Sequence, residues 1–399
     1  MKRSCDGAIV ASLPSAPSDD KRARTDGALV AAGAGGGAVV AAGPARTSDL
    51  LAPIMLLTGY AAPVLSTKFS PDGQHVLSGS HDKLMLLWDT FGECENTLTF
   101  RGHSNAILEV QWAGDGESVF SASADKTAAV WDAQTGGRIR QFKGHTSIVN
   151  SFCPSREAST CASGSDDGTC KIWDARVRVT QQTIAHPYAV TAACVSHSGT
   201  HAYTGCLDGV VRAYDLRRAE TALLELEGHQ DIVTGLKLAP DGNFLLSNAM
   251  DNVLRCWDVK PYAHPHPSPV PHDLSLPLPS RPRTPSLTLT LTTRTCTCSR
   301  RRYASDDRCA KVFLGAQHNF EKTLIKCSWN ASMSQVAAGS ADSFVYVWDA
   351  KSPTPPHRIA YKLPGHAGSV NEVDFHPTQP IIASCGNDKQ IFLGEIRPA

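Results

Sequence analysis

The chain has 399 residues, more than one ordinary hydrophobic core accommodates, and its 38 basic and 38 acidic side chains cancel, so no overall field recommends a polyanionic partner. Its 13 cysteines stand mostly alone with no CxxC pair (Cys296 and Cys298 are the closest), which argues for reduced buried thiols rather than a zinc site or a disulfide framework. No apolar run approaches the roughly 20 residues of a membrane span, and the N-terminus lacks the continuous apolar core of a secretory signal.

Residues 1–50 are rich in Ala, Gly, Ser and Asp and poor in large apolar side chains, so a disordered tail is expected there. Its glycine cluster, Gly33 to Gly43, has neither a preceding strand nor the Lys-Ser/Thr ending of a phosphate loop. Lys2-Arg3 with Lys21-Arg-Ala-Arg24 has the composition of a nuclear import signal, and a nuclear protein is expected. Ordered chain is expected from residue 51 to 399. Ile54-Met-Leu-Leu57 matches the segments that precede the Gly-His pairs further on, such as Thr97-Leu-Thr-Phe100 and Ile139-Arg-Gln-Phe142. It has no repeat of its own before it, so it should supply the outer strand of the last repeat, which ends after Ile391-Phe-Leu393, and close a ring.

From there one phrase recurs seven times: small residues, a turn Asp, an apolar run, then Trp-Asp, with Tyr214-Asp215 in the fourth copy and Gly394-Glu395 in the seventh. The turn aspartates are Asp82, Asp125, Asp167, Asp208, Asp251, Asp342 and Asp388, the first five spaced 41 to 43 residues apart. Gly102-His103, Gly144-His145, Gly228-His229 and Gly365-His366 precede them, with Gly59-Tyr60 and Ala185-His186 as degenerate versions. A period of about 40–45 residues with Gly-His and Trp-Asp words resembles WD40 repeats, which implies an all-β, seven-bladed propeller. Each repeat would be four short antiparallel strands whose faces are covered only by neighbours packed radially. Asp72-Gly73, Asp115-Gly116 and Asp241-Gly242 are hairpin turns between first and second strands. Val64, Val149, Val233 and Val370 are core-facing positions of the first strands.

Within a repeat, the His, the turn Asp, a strand Ser or Thr and the Trp are expected to form a hydrogen-bonded chain: His103, Asp125, Trp131; His145, Asp167, Trp173; His229, Asp251, Trp257. In the second repeat the hydroxyl would come from Ser121 or Ser123. A hydrolase triad uses the same residue types, but an enzyme needs one triad and not several copies, so no catalytic residue is expected. No cofactor or metal is expected either. The side chains three and five residues after the His, and the one before the turn Asp, should point from the His-bearing face: Ile148, Asn150, Asp166, Ile232, Thr234, Met250, Ser369 and Asn371 form the candidate protein-binding face.

The spacing breaks after Asp258. Asp342 follows Asp251 by 91 residues, and the excess lies between residues 264 and 304, rich in Pro, Ser, Thr and Arg. Leu254-Arg-Cys-Trp257 reads as a third strand and Arg308-Cys-Ala-Lys-Val-Phe313 as the fourth, so the insertion sits in a blade-five loop on the face opposite the His loops. His264, His266, His272 and six Arg would suit a metal or RNA, but a solvated loop is the simpler reading, since Tyr303 is its lone aromatic. A lineage-specific loop and translated intron both account for it.

Several words are more specific than WD40 repeats in general. Pro53-Ile-Met-Leu-Leu57, Lys143-Gly-His-Thr-Ser147, Leu246-Ser-Asn-Ala-Met-Asp-Asn252, His318-Asn-Phe-Glu-Lys322 and Tyr361-Lys-Leu-Pro-Gly-His-Ala-Gly368 resemble the WD40 proteins of the spliceosomal U5 small nuclear ribonucleoprotein, as does the missing Trp at Gly394-Glu395. The resemblance implies a non-catalytic scaffold subunit that binds the splicing factor Prp8 and other U5 proteins and supports pre-mRNA splicing. RNA contact would be indirect, because basic residues in the ring are dispersed among acids and no RRM or KH word appears. No small-molecule substrate and no membrane partner is implied. A competing reading, a substrate receptor of a cullin-RING ubiquitin ligase, rests on the WDxR form Trp173, Asp174, Arg176, with Tyr214-Asp-Leu-Arg217 as a weaker copy.

Overall fold

The computed structural model describes residues 48–157, 159–177, 179–218, 221–260, 308–318, 323–352 and 358–396. The expected insertion at 264–304 and most of the expected tail lie outside the described residues. Among the described residues, 28 strands form seven four-stranded antiparallel sheets. Six sheets run in chain order, from blade one (64–101) through blade six (327–363). The seventh combines Val370–Phe375, Ile381–Gly386 and Gln390–Glu395 with the opening strand Ile54–Thr58, paired in the register Ile54 to Gly394 and Thr58 to Gln390. The ring is therefore closed by its two ends, as the strand match requires. The N-terminal boundary needs one correction. Leu50, assigned to the tail, is buried in the cluster between blades seven and one, and the Asp49 N–H donates to Gln379 Oε1 at 3.0 Å.

The core lies between blades rather than within them. Seven buried apolar clusters occur, each drawn mainly from two neighbouring blades. Strand alternation explains this: successive side chains point to opposite faces of a sheet, and in a propeller both faces meet a neighbour. Val64, Val149, Val233 and Val370 are fully buried, and so are the indoles of Trp88, Trp131, Trp173, Trp257 and Trp348. The hairpin glycines Gly73, Gly116 and Gly242 take φ of +78°, +75° and +72°, as the Asp-Gly turns demand.

The first strands run from the His-bearing face to the opposite face and line the central channel. At the blade seven to blade one junction Lys68 Nζ meets Glu372 Oε1 at 2.5 Å, and Glu372 Oε2 accepts the Thr67 N–H at 3.0 Å and the Ser66 hydroxyl. Deeper round the ring Lys326 Nζ lies 3.2 Å from Glu109 Oε2. These pairs plug the channel down to about 10 Å³, the room of one water.

Candidate functional site

Three blades carry the complete polar chain. In blade two His103 Nδ1 lies 2.8 Å from Asp125 Oδ2, His103 Nε2 lies 2.7 Å from Ser121 Oγ, and the Trp131 indole N–H donates to Ser121 Oγ at 2.8 Å. Ser121 is thus the chain hydroxyl, while Ser123 Oγ donates to the Ala106 carbonyl. Blade three repeats the arrangement through Asp167, His145, Ser163 and Trp173, and blade five through Asp251, His229, Ser247 and Trp257. Each Asp also caps the Gly-His turn; Asp125 Oδ2 accepts the Ser104 N–H at 3.1 Å. Burial alone would raise the Asp125 carboxyl, but hydrogen bonds from His103 and Thr127 outweigh it and hold it well below the usual carboxylate range. For Asp167 the same balance, through Thr169 and Thr146, brings it to about 2. Burial lowers His145 and His229 against the pull of their aspartates. Every reactive atom in these chains is engaged with another member, so the arrangement stiffens the blade and offers no free nucleophile.

The departures are compensated differently. Tyr60 replaces the blade-one His and places its hydroxyl 2.7 Å from Ser78 Oγ, which also accepts the Trp88 N–H. In blade four the chain is broken: His186 keeps Thr204 at 2.9 Å, but its Nδ1 faces the Ile184 carbonyl while Asp208 pairs with Arg212 at 2.7 Å. Burial with no carboxylate partner pushes His186 down to about 4. In blade seven His366 holds Asp388 and Ser384, and the ring that the absent Trp would supply comes from Phe392, two positions earlier, edge-on to His366 at 4.6 Å between centroids. A Cβ at Gly365 (φ +154°) would come within 3.7 Å of that ring, and one at Gly102 (φ +150°) within 3.2 Å of Trp131. At Gly102 the 3.2 Å approach is tighter than ordinary contact, so the glycine lets Trp131 lie beneath the turn; at Gly365 the left-handed φ is what favours glycine.

This gives a contrast between blades. Asp125→Ala should cost about 1–3 kcal/mol, because the buried His103 and the Ser104 N–H lose their acceptor. Asp208→Ala removes the pairing with Arg212 and the acceptor of the Val210 N–H but no contact to a histidine, and should cost less than the Asp125 change. Urea unfolding midpoints measure both, and equal losses would mean that the Asp–His contact adds nothing.

The predicted binding face divides in two. Asp166 is exposed, and Ile148, Ile232 and Met250 are half-buried, with the Met250 N–H on the Ile232 carbonyl and the Asp166 N–H on that of Ile148. Asn150, Thr234, Ser369 and Asn371 are buried, which corrects their assignment to a surface. Asn150 Nδ2 donates to the Val190 carbonyl at 3.1 Å, Thr234 Oγ1 to that of Ile325 at 2.7 Å, and Asn371 Nδ2 to that of Val64 at 2.7 Å. Each bond runs from one blade to the first strand of the next or to the segment just before it, and Thr191 makes the equivalent bond to Val233. In blades three, four, five and seven the position five after the histidine is thus a staple between blades. Ser369 lies buried beside Asn371, its carbonyl accepting the Asn387 N–H. Sequence reasoning also missed Tyr188 and Leu207, exposed in blade four. Leu207 directly precedes Asp208, so the offset that selected Met250 would have selected it had the degenerate repeat been included. With Ile148, Ile232 and Met250 these residues form an apolar stretch over the His-bearing loops of blades three to five.

Of the adaptor motif, Trp173 is buried on Ser163, and Arg176 is exposed with its guanidinium on Asp174 at 3.1 Å. Asp174 Oδ1 also accepts the Arg176 N–H, a capping bond that Asp132, Asp215, Asp258 and Asp349 each make two residues on. The Asp-x-Arg spacing therefore closes a turn common to the blades.

A closed ring of seven four-stranded sheets with His–Ser–Trp chains between turn and strand defines a WD40 β-propeller. The family model described as WD domain, G-beta repeat matches residues 51–89, 92–132, 136–174, 178–215, 220–258, 307–349 and 358–393. The U5 small nuclear ribonucleoprotein 40 kDa protein of Mus musculus is 43% identical over 387 residues, covering 94% of this chain and 95% of its own. That of Homo sapiens is 43% identical over 362 residues, 90% and 88% of the two chains. Pre-mRNA-splicing factor cwf17 of Schizosaccharomyces pombe is 37% identical over 352 residues, 88% and 90%. The chain belongs to the WD40-repeat family and, within it, to the family of the U5 small nuclear ribonucleoprotein 40 kDa proteins.

Proposed function

We propose that this chain is a non-catalytic interaction subunit of the U5 particle that works in the nucleus and binds the splicing factor Prp8 with the His-bearing face of blades three to five. The chain is a splicing-related WD40 protein. The observation that carries the finer reading is the exposed apolar stretch there: Tyr188 and Leu207 stand about half exposed beside Ile148, Ile232 and Met250. Aromatic and Met side chains ringed by polar groups have the composition of a protein interface rather than of a phosphate site. His145 with Asp167 and His229 with Asp251 are tied up in the blade chains and Asp208 is paired with Arg212, so apolar contact is the main thing this face offers.

The test is recovery of a tagged chain from nuclear extract with quantification of co-purifying proteins by mass spectrometry. Prp8 and U5 proteins are expected. Ile232→Glu and Met250→Arg should each weaken Prp8 binding about thirtyfold, the effect of losing roughly 2 kcal/mol at an interface centre, with the melting temperature unchanged. Undiminished recovery from both variants would move the interface off this face. A ligase adaptor and cullin in place of U5 proteins would favour the receptor reading.

A further inference from the structure

On the opposite face the channel opens into a pocket of about 290 Å³. Phe69, Trp112 and Trp329 contribute its aromatic lining. The Trp329 indole N–H is buried without an acceptor. Three cations also line it; Lys68 is paired with Glu372, but Lys237 and the exposed Arg156 have neither an ion pair nor a side-chain hydrogen bond among the described residues. The one carboxylate in the lining, Asp374, is already satisfied: Oδ1 accepts the Ser328 hydroxyl at 2.7 Å and Oδ2 the Phe69 N–H at 3.1 Å. Below it, the Lys68–Glu372 pair stops anything from threading the ring.

The pocket's unpaired charges are therefore positive, and its unpaired buried donor is an indole. We infer that this mouth is a second docking site, for an acidic peptide segment of a protein partner. One carboxylate of the segment meets Lys237 and Arg156, and a neighbouring apolar side chain enters between Trp112 and Trp329. RNA fits the pocket less well. Sequence-independent strand binding uses a basic groove that tracks many phosphates, whereas here two free cations sit above the carboxylates of Asp374 and Glu372. The site lies on the other face from the proposed Prp8 contact and does not rest on that reading.

Random peptides displayed on phage and selected on the purified full chain test it. Recovered peptides should pair Asp or Glu with an adjacent aromatic or aliphatic residue. In fluorescence anisotropy, the labelled peptides should bind Lys237→Met and Arg156→Met variants about three- to tenfold more weakly, the range for one partly shielded ion pair. Ile232→Glu, on the opposite face, should leave their affinity unchanged, and thermal melts of all three variants should match the parent. The inference fails if no selected peptide is weakened by the Lys237 and Arg156 changes, if the weakened peptides lack acidic residues, or if a uridine oligonucleotide displaces them.

Discussion

A chain lacking residues 1–58 should lose cooperative folding, whereas one lacking residues 1–47 should melt with the full chain. The first deletion removes the outer strand of blade seven, five residues paired one to one with Gln390 to Gly394. Met55 and Leu57 are buried in the blade seven to one cluster, and each such side chain contributes about 1.5–3 kcal/mol. With the strand pairing, the loss reaches roughly 5 kcal/mol or more, comparable to the whole stability of an ordinary domain. It also exposes the edge of Gln390–Glu395, so aggregation should accompany the loss. The cut is placed before Ser48 because Asp49 and Leu50 already pack on the ring. Calorimetry of the two truncations measures the difference, and coincident melting curves would refute closure through the opening strand.

The second large effect sits at the same junction. Glu372→Ala should cost about 3 kcal/mol, because it leaves the buried Lys68 ammonium with only Asp374 at 3.9 Å and the Thr67 N–H without an acceptor. Burial would raise Glu372, but Lys68 and Lys326 outweigh it and hold it below its ordinary 4.5, while its carboxylates hold Lys68 above its ordinary 10.5 despite burial. A carboxylate with a depressed value contributes stability above its unfolded value and loses it as pH falls through the folded one. A lysine with a raised value contributes below its unfolded value and loses it as pH rises through the folded one. The deficit of Glu372→Ala should therefore be flat between about pH 5 and 10 and shrink in acid. Lys68→Met combined with Glu372→Gln should cost less than the sum of the two single changes, since no uncompensated charge remains. Additive costs would mean that the pair does not act as a unit.

Much of this architecture was legible in the sequence because its signal is a period. The turn aspartates, Gly-His pairs and buried valines repeat in register, and a repeated word reports a repeated environment. The His–Asp–Ser–Trp chains were legible for the same reason. What depends on relations between repeats was not. Asn150, Thr234 and Asn371 look like surface residues because they are polar, but their partners are carbonyls of the next blade, 40 to 307 positions away in the chain. Lys68 and Glu372 are separated by most of the ring, and each alone reads as the solvated half of an alternating strand. Phe392 filling the place of the blade-seven Trp is a three-dimensional substitution that no position-by-position reading of Gly394 supplies. Leu207 and Tyr188 were hidden because blade four departs from the repeat pattern.

Amide hydrogen exchange, comparing the free chain with the chain bound to Prp8, tests the central claim most directly. Binding through the His-bearing face predicts added protection in the loops around Ile148 to Asp166, Tyr188 to Leu207 and Ile232 to Met250, with the hairpins at Gly116 and Gly242 on the opposite face unchanged. Protection confined to those hairpins or to the outer strands, or no protection because no complex forms, would contradict it.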